Sequence, residues 1–366
     1  MKILNINFFN FRNLENTFLN LSEKINVFYG KNAQGKTSIL EAIYFNSTGI
    51  SFRTKKTIEL IKYNMDKVVS SIKYEDSITD NNIAVKYEKN FAAKKEFFFN
   101  KKRIVQTDFY GKINIIAYIP EDIALINGLP KVRRDFFDME ISQIDKEYLG
   151  LLKKYNKLLK IINKYLKEKK VLKKEFEIYQ EEYIKAASKI IFLRANYIKN
   201  LSIILNLTYR NLFNSKQELK IKYDANGILE ANSKIILENI EGKIRKEIEK
   251  KREKELKYGF SLVGPHKDNY EFILNNYSAK INASQGEKKS IIFSLKLSEI
   301  ELIKKNKKEL PIIIIDDITS YFDESRRNSI LQFLYKNNVQ VIISSVEKLD
   351  IKAKNFYVEK GIIYDK

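Results

Sequence analysis

The sequence predicts an α/β protein, a phosphate-binding domain of strands and helices interrupted by an α-helical hairpin or coiled-coil arm. Three observations carry that expectation. Gly30-Lys-Asn-Ala-Gln-Gly-Lys-Thr37 spaces two glycines and a Lys-Thr pair as a phosphate-binding loop does, between a β-branched run and a helical one. Pro311-Ile-Ile-Ile-Ile-Asp-Asp317 reads as a parallel strand buried on both faces that ends in two carboxylates. Lys36 and Asp316 stand 280 positions apart, and much of the intervening chain has helical periodicity.

Ile3, Leu4, Ile6 and Phe8 alternate as in a strand and lead through Asn10-Phe-Arg-Asn13 to a second strand at Thr17 to Leu21. Lys24 to Tyr29 reads as the buried strand that feeds the loop, and Ser38 to Phe45 as the helix that leaves it. A loop of this kind turns its backbone N–H groups around a phosphate chain, which Gly30 and Gly35 permit, with Lys31, Asn32, Ala33 and Gln34 completing the wrap. Lys36 is then expected to reach the β and γ phosphates, and Thr37 to ligate Mg2+. After Ser51 to Thr54 come alternating segments at Val68 to Tyr74, Ile83 to Tyr87 and Lys95 to Phe99. Asn100-Lys101 is expected as a hairpin turn although it lacks the usual glycine, and a strand from Ile113 to Ile119 is ended by Pro120.

From Val132 to Ser215 the pattern changes to long helices. Leu151, Leu152, Tyr155, Leu158, Leu159, Ile162, Tyr165 and Leu166 recur every three or four positions, and Phe176 to Ile191 repeats that spacing. Between Lys146 and Glu175 stand 11 Lys against 3 Glu, so the polar face is basic, either as a solvated surface or as a DNA contact. Asn226-Gly227 marks a turn, Ile235 to Lys257 a further charged helix, and strand character returns at Gly259. Ser261 to Asp268 holds the single His, His266; a lone His is more often structural than catalytic, but it stands in a Gly-Pro turn, where exposed polar side chains tend to serve binding. Ser284, with Glu287 three positions on, forms a capping box that opens a helix, and a helix start is also an anion site.

At the end of the isoleucine strand, Asp316 is placed to hold Mg2+ and Asp317 to orient or activate an attacking water. Ser320 to Asp323, a helix from Glu324 to Tyr335, a strand from Val339 to Ser344 and a terminal hairpin at Phe356 to Gly361 close the chain. The expected domains are residues 1–130, 131–257 and 258–366: the loop half of the head, the arm, and the Asp-Asp half of the head.

The chain has 366 residues, enough to bury a large core in more than one domain. It has no Cys, which excludes a disulfide framework, thiolate metal sites and cysteine catalysis, and suits a cytoplasmic protein. Neither a signal-peptide core nor a run of membrane-spanning length occurs, so no membrane partner is expected. The formal charge of +21 favours polyanions, although the abundance of Lys, Asn and Ile equally fits AT-rich coding.

The split layout resembles the ATPase heads of the SMC and Rad50 group, and more specifically the RecF family of bacterial recombination mediators. The residues that carry the likeness are Asn10-Phe-Arg-Asn13, the loop through Glu41-Ala-Ile-Tyr44, Ile119-Pro-Glu-Asp122, Gly128-Leu-Pro-Lys-Val-Arg-Arg134, Gly264-Pro-His-Lys267, Ser284-Gln-Gly286, Asp316-Asp317 with Phe322-Asp323, and Val358-Glu-Lys-Gly361. The resemblance implies an ABC-type ATPase head of mixed sheet and helices with a short arm, using ATP and Mg2+. It further implies an ATP-dependent homodimer that binds single-stranded, duplex or junction DNA in replication and recombinational repair, and that works with RecO and RecR to load the recombinase. In that pattern Arg12 and Asn13 lie beside the nucleotide and Asp323 at the dimer interface, while Ser284, Gln285 and Gly286 meet the γ phosphate held by the other subunit.

Three departures stand out. Ala33 occupies a usual glycine position, which costs backbone strain if that position needs positive φ, Lys288 and Lys289 follow the signature where Arg is common, and Ser344 and Ser345 stand where transporter cassettes place a His. They imply a slow ATPase. The alternatives are another ATPase of the SMC and Rad50 group with a different partner, and a DNA-binding scaffold with a vestigial ATP site.

Overall fold

A computed structural model describes residues 1–89, 95–229, 235–321 and 324–365. The chain forms two compact units, Met1–Asp122 with Phe293–Lys366, and Ile123–Ile292.

The first unit contains two six-stranded sheets. One runs in the order β2 (Thr17–Asn20), β1 (Lys2–Phe9), β4 (Lys67–Glu75), β5 (Asp80–Glu88), β6 (Lys95–Phe99) and β7 (Lys102–Ile104), antiparallel throughout. Its strands show the period of two that a half-buried sheet requires: in β4, Val68, Ser70, Ile72 and Tyr74 are buried while their neighbours are not. The β6–β7 turn is the expected Asn100-Lys101, with φ of 47° and 66°, so two non-glycine residues hold the left-handed conformation that a twisted hairpin needs.

The other sheet runs β15 (Ile362–Asp365), β14 (Lys354–Glu359), β3 (Ile25–Tyr29), β13 (Val341–Ser345), β12 (Ile312–Ile315) and β8 (Ile115–Tyr118). All its pairs are parallel except the terminal hairpin of β14 and β15. Every residue of β12 and β13 is buried, as the uninterrupted isoleucine run requires. Helix Lys36–Thr48 contacts β4 and β5 of one sheet and β8 and β13 of the other, and of its residues only Thr37 is not buried. A helix buried on every face is one enclosed on all sides. It is thereby fixed between two sheets, and its N-terminus lies at the end of β3.

The second unit is mostly helical. Helix Lys146–Lys167 buries Tyr155, Leu158, Ile162 and Leu166, and helix Lys174–Leu212 buries Tyr183, Ala187, Ile190 and Ile191, so the apolar stripes predicted from spacing meet as a hairpin. A third helix, Leu237–Tyr258, buries Ile240, Ile244 and Ile248 and contacts both. One element departs from the sequence reading. Between the helices expected up to Ser215 and the turn at Asn226-Gly227, where the sequence reading assigned no element, β9 (Leu219–Asp224) pairs with β10 (Asn269–Leu274), which in turn pairs with β11 (Tyr277–Ser278). Leu219 and Ile221, buried and alternating with exposed Lys220 and Lys222, supply the pattern that marks it. The sequence reading divides the chain at 130/131 and 257/258, whereas this compact unit runs on to Ile292 and so takes in β10, β11 and the start of helix Gln285–Lys307. No described helix is long and apolar enough to cross a membrane.

Candidate functional site: a phosphate-loop cleft

In the parallel sheet β13 lies between β3 and β12, so three neighbouring strands deliver their C-terminal ends to one place. That is where open α/β sheets bind ligands. β3 delivers the loop, β12 delivers Asp316 and Asp317, and β13 delivers Ser344, opposite Asp316 because Ile315 is in register with Ile343. A cleft of about 930 Å³ opens there, lined by loop residues Asn32, Ala33, Gly35, Lys36, Thr37 and Ser38 together with Asp316, Asp317 and Ser344. Arg12, Asn13, Arg53 and the 59–63 segment form the rest of the wall.

The loop takes its shape from glycine and from the chain's C-terminal hairpin. Gly35 has φ of 111°, which a side chain rarely adopts. Gly30 passes so close to β14 that a Cβ would stand 2.4 Å from the Val358 carbonyl oxygen. The β14–β15 turn clamps Gln34, whose backbone carbonyl accepts from Gly361 N at 2.9 Å and whose Oε1 accepts from Lys360 N at 2.7 Å. Gln34 is thus a structural member of the loop. Ala33 has φ of 64°, so the backbone strain foreseen from the missing glycine is present. Such a residue costs about 1 kcal/mol or more and persists where surrounding structure imposes it.

Lys36 is buried, and its ammonium donates to the carbonyl oxygens of Gly30 at 2.6 Å and Lys31 at 2.8 Å. Burial pushes its pKa down, and the nearby Asp317 and Asp316 pull it back up. Thr37 Oγ1 donates to Asp316 Oδ1 at 3.0 Å, and Ser344 Oγ donates to the same oxygen at 2.6 Å. Burial raises the Asp316 pKa, while the Ser344 and Thr37 hydroxyls favour its ionised form. Asp317 sits at φ of 54°, its N–H donating to Ser344 Oγ at 2.8 Å and its Oδ1 accepting from Thr319 at 3.2 Å. Ser344 therefore bonds to both members of the acidic pair, a role that sequence reading did not assign to it.

Arg12 and Asn13 line the cleft, and the structure shows what holds them. The Arg12 guanidinium grips both oxygens of Glu41, at 2.7 Å for Nη2, and donates to the Glu59 carbonyl at 3.2 Å. Glu41, fully buried in the apolar helix, also binds Arg53 and accepts from Ser51 at 2.5 Å. A charge that deep requires partners, so a lone Glu in an apolar helical run is a sequence signal for a buried ion pair. Asn13 Oδ1 accepts from Ser38 Oγ at 2.9 Å.

The remaining predicted residues belong to the second unit or fall outside the described chain. Ser284 caps helix Gln285–Lys307 in a reciprocal box: Ser284 N donates to Glu287 Oε2 at 2.8 Å, and Glu287 N to Ser284 Oγ at 3.2 Å. Gln285 and Gly286 form the first turn of that helix. Phe322 and Asp323 lie outside the described residues. His266 takes the structural role usual for a lone His and not the binding role its turn offered. Its Nδ1 pairs with the Tyr155 hydroxyl at 2.6 Å and its Nε2 with the Ser261 carbonyl at 3.0 Å, and burial pushes its pKa down to about 4, so the ring is neutral and structural. Beside it lies a network that the sequence did not announce. Buried Arg194 bonds Asp138 at 2.8 Å, Asp268 at 2.7 Å and the Pro265 carbonyl at 2.7 Å.

Comparison with known proteins adds four findings. A family model described as the RecF/RecN/SMC N terminal domain matches residues 2–359. The DNA replication and repair protein RecF of Lysinibacillus sphaericus (strain C3-41) is 33% identical over 376 residues, covering 99% of each chain. The solved structure of the recombination mediator protein RecF-ATP in the RecFOR pathway superposes with a TM-score of 0.90 at 30% identity, covering 100% of this chain and 97% of that one. An Smc head bound to the C-winged helix domain of ScpA shares the fold at a TM-score of 0.56 and 14% identity, covering 100% and 98%.

Proposed function

The chain belongs to the RecF/RecN/SMC N terminal domain family, and from that premise we propose that it is an ATP-dependent DNA-binding protein of replication and recombinational repair. In this reading two copies dimerise on ATP and help load recombinase at gapped or single-stranded DNA, with RecO and RecR as partners. The observation that carries the proposal is the convergence of Lys36, Thr37, Asp316 and Ser344 at three adjacent strand ends.

Lys36 would exchange the carbonyls of Gly30 and Lys31 for the β and γ phosphates, whose charge is a better partner for an ammonium than a neutral oxygen. The loop N–H groups and the start of helix Lys36–Thr48 would cradle the same phosphates. Thr37 and Asp316, with oxygens 3.0 Å apart, supply the hard oxygen donors that suit Mg2+, an ion that takes one or two carboxylates and completes its shell with phosphate and water. Bound there, Mg2+ would neutralise charge developing on the phosphoryl oxygens. Asp317 would orient the attacking water. Hydrolysis is slow in this reading, because Ser344 spends its hydroxyl on the acidic pair and, unlike a His, does not titrate near neutral pH. Ser284, Gln285 and Gly286 would complete the ATP site of a second copy, which makes the nucleotide the bond between subunits. The net charge of +21 supports a grip on the DNA backbone that is largely independent of sequence.

Light scattering over a range of protein concentrations tests the dimer. Mg·ATP should shift the wild-type chain from monomer to dimer, while Ser284→Arg should bind ATP and stay monomeric. A Ser284→Arg protein that dimerises with ATP as the wild type does would refute the shared-site reading.

A further inference from the structure

One wall of the cleft is unlike the rest. Around the phosphate loop the lining consists of ammonium, hydroxyl and carboxylate groups, but the 59–63 segment brings Ile61 and Tyr63 to the same cavity. Tyr63 is 88% exposed. A single exposed aromatic on an open surface needs no explanation. This one stands in the wall of a ligand cleft, on a backbone built to hold it there.

The segment is fixed to the loop preceding β2. Phe11 and Ile61 form a β-bridge, Arg12 N donates to the Leu60 carbonyl at 2.8 Å, and Lys62 N donates to the Asn10 carbonyl at 2.9 Å. A turn then follows, closed by Met65 N on the Lys62 carbonyl at 3.0 Å, with Asn64 at φ of 63°. Asn is the residue that takes this conformation most cheaply after Gly. Tyr63 occupies the corner of that turn. The cations beside it are committed elsewhere: Lys62 Nζ donates to Glu15 at 2.6 Å and to the Leu14 carbonyl at 3.3 Å, and Arg12 is held by Glu41. The other charges of the wall are also engaged, Glu59 accepting from Thr54 at 2.6 Å and Arg53 donating to Glu41 at 3.4 Å, so what the 61–63 stretch adds for a ligand is an aromatic face and an aliphatic side chain.

We propose that Tyr63, backed by Ile61, is the platform on which the nucleobase stacks, so that affinity for the nucleotide is divided between a phosphate end at Lys36 and a base end at Tyr63. The inference rests on the nucleotide reading of the cleft. An aromatic ring grips any base by its π-face, so Tyr63 contributes affinity without choosing among purines.

The test compares ATP with inorganic tripolyphosphate, each titrated calorimetrically with Mg2+ into the full-length wild type, Tyr63→Ala and Tyr63→Phe. Tyr63→Ala should weaken ATP by roughly 5- to 150-fold, the range found for losing one base–aromatic stack, and leave tripolyphosphate within about twofold. Tyr63→Phe should bind ATP as the wild type does. Unchanged ATP affinity in Tyr63→Ala, or an equal loss for ATP and tripolyphosphate, would overturn the proposal while leaving the phosphate site standing. A wild-type chain that binds neither ligand would instead sink the nucleotide reading, and this one with it.

Discussion

Lys36 in the first unit and Arg194 in the second are both buried cations, and they are satisfied in opposite ways. Arg194 is bonded to the carboxylates of Asp138 and Asp268, closing a network that also contains the Tyr148 and Tyr223 hydroxyls. Lys36 lines an open cleft and donates to neutral backbone carbonyls, with its nearest acids acting on it only through space. A charge whose compensation is already complete holds a fold together. A charge resting on neutral acceptors next to open space keeps its strongest interaction in reserve for an anion. The two units thus use similar residues for different ends, and the difference lies in their partners.

The contrast breaks most visibly at Arg194. Arg194→Ala leaves buried Asp268 and half-buried Asp138 without their counter-charge, and should cost about 3–5 kcal/mol in denaturant unfolding. A loss under about 1 kcal/mol would mean that the network is not a structural closure. Asp316→Asn should do the reverse. Burial already disfavours the ionised form of this carboxyl, so neutralising it should leave the unfolding free energy unchanged or slightly higher. Mg-dependent ATP hydrolysis, followed by phosphate release, should nevertheless fall about a hundredfold or more, because a metal's charge stabilisation is worth several kcal/mol. The smallest effect is expected at Ala33, where φ is 64°. Ala33→Gly should relieve the left-handed strain and raise stability by less than about 1 kcal/mol, the gain being offset by glycine's larger unfolded-state entropy. Thermal melts would show it, and a lower melting temperature would mean that the strain is compensated locally.

What the sequence disclosed follows the same division. The phosphate loop, the four-isoleucine strand and the Asp-Asp pair were legible because their chemistry is written in consecutive residues. So were the stripes of the two long helices, and even the Ala33 strain, because period and spacing are local properties. Whatever depends on distant partners was not. Glu41 against Arg12, Ser344 between two aspartates, and Gly361 closing on Gln34 are set by which strands become neighbours, and nothing in the flanking residues specifies it. The choice at His266 between a structural and a binding side chain was undecided for this reason: a Gly-Pro turn looks exposed until Tyr155, far away in sequence, is packed against it. β9 was lost because only Leu219 and Ile221, alternating with Lys220 and Lys222, mark it, a short alternation in a region dominated by helix.

The account stands most directly on Lys36 being a cation held for a phosphate. Calorimetric titration of Mg·ATP into the wild-type chain and into Lys36→Ala measures this, with unfolding curves recorded for both. Tight binding by the wild type, its loss in Lys36→Ala, and similar unfolding free energies are the predicted result. If Lys36→Ala binds Mg·ATP as the wild type does, or unfolds as readily as Arg194→Ala, then Lys36 is a structural charge and the distinction between the two units fails.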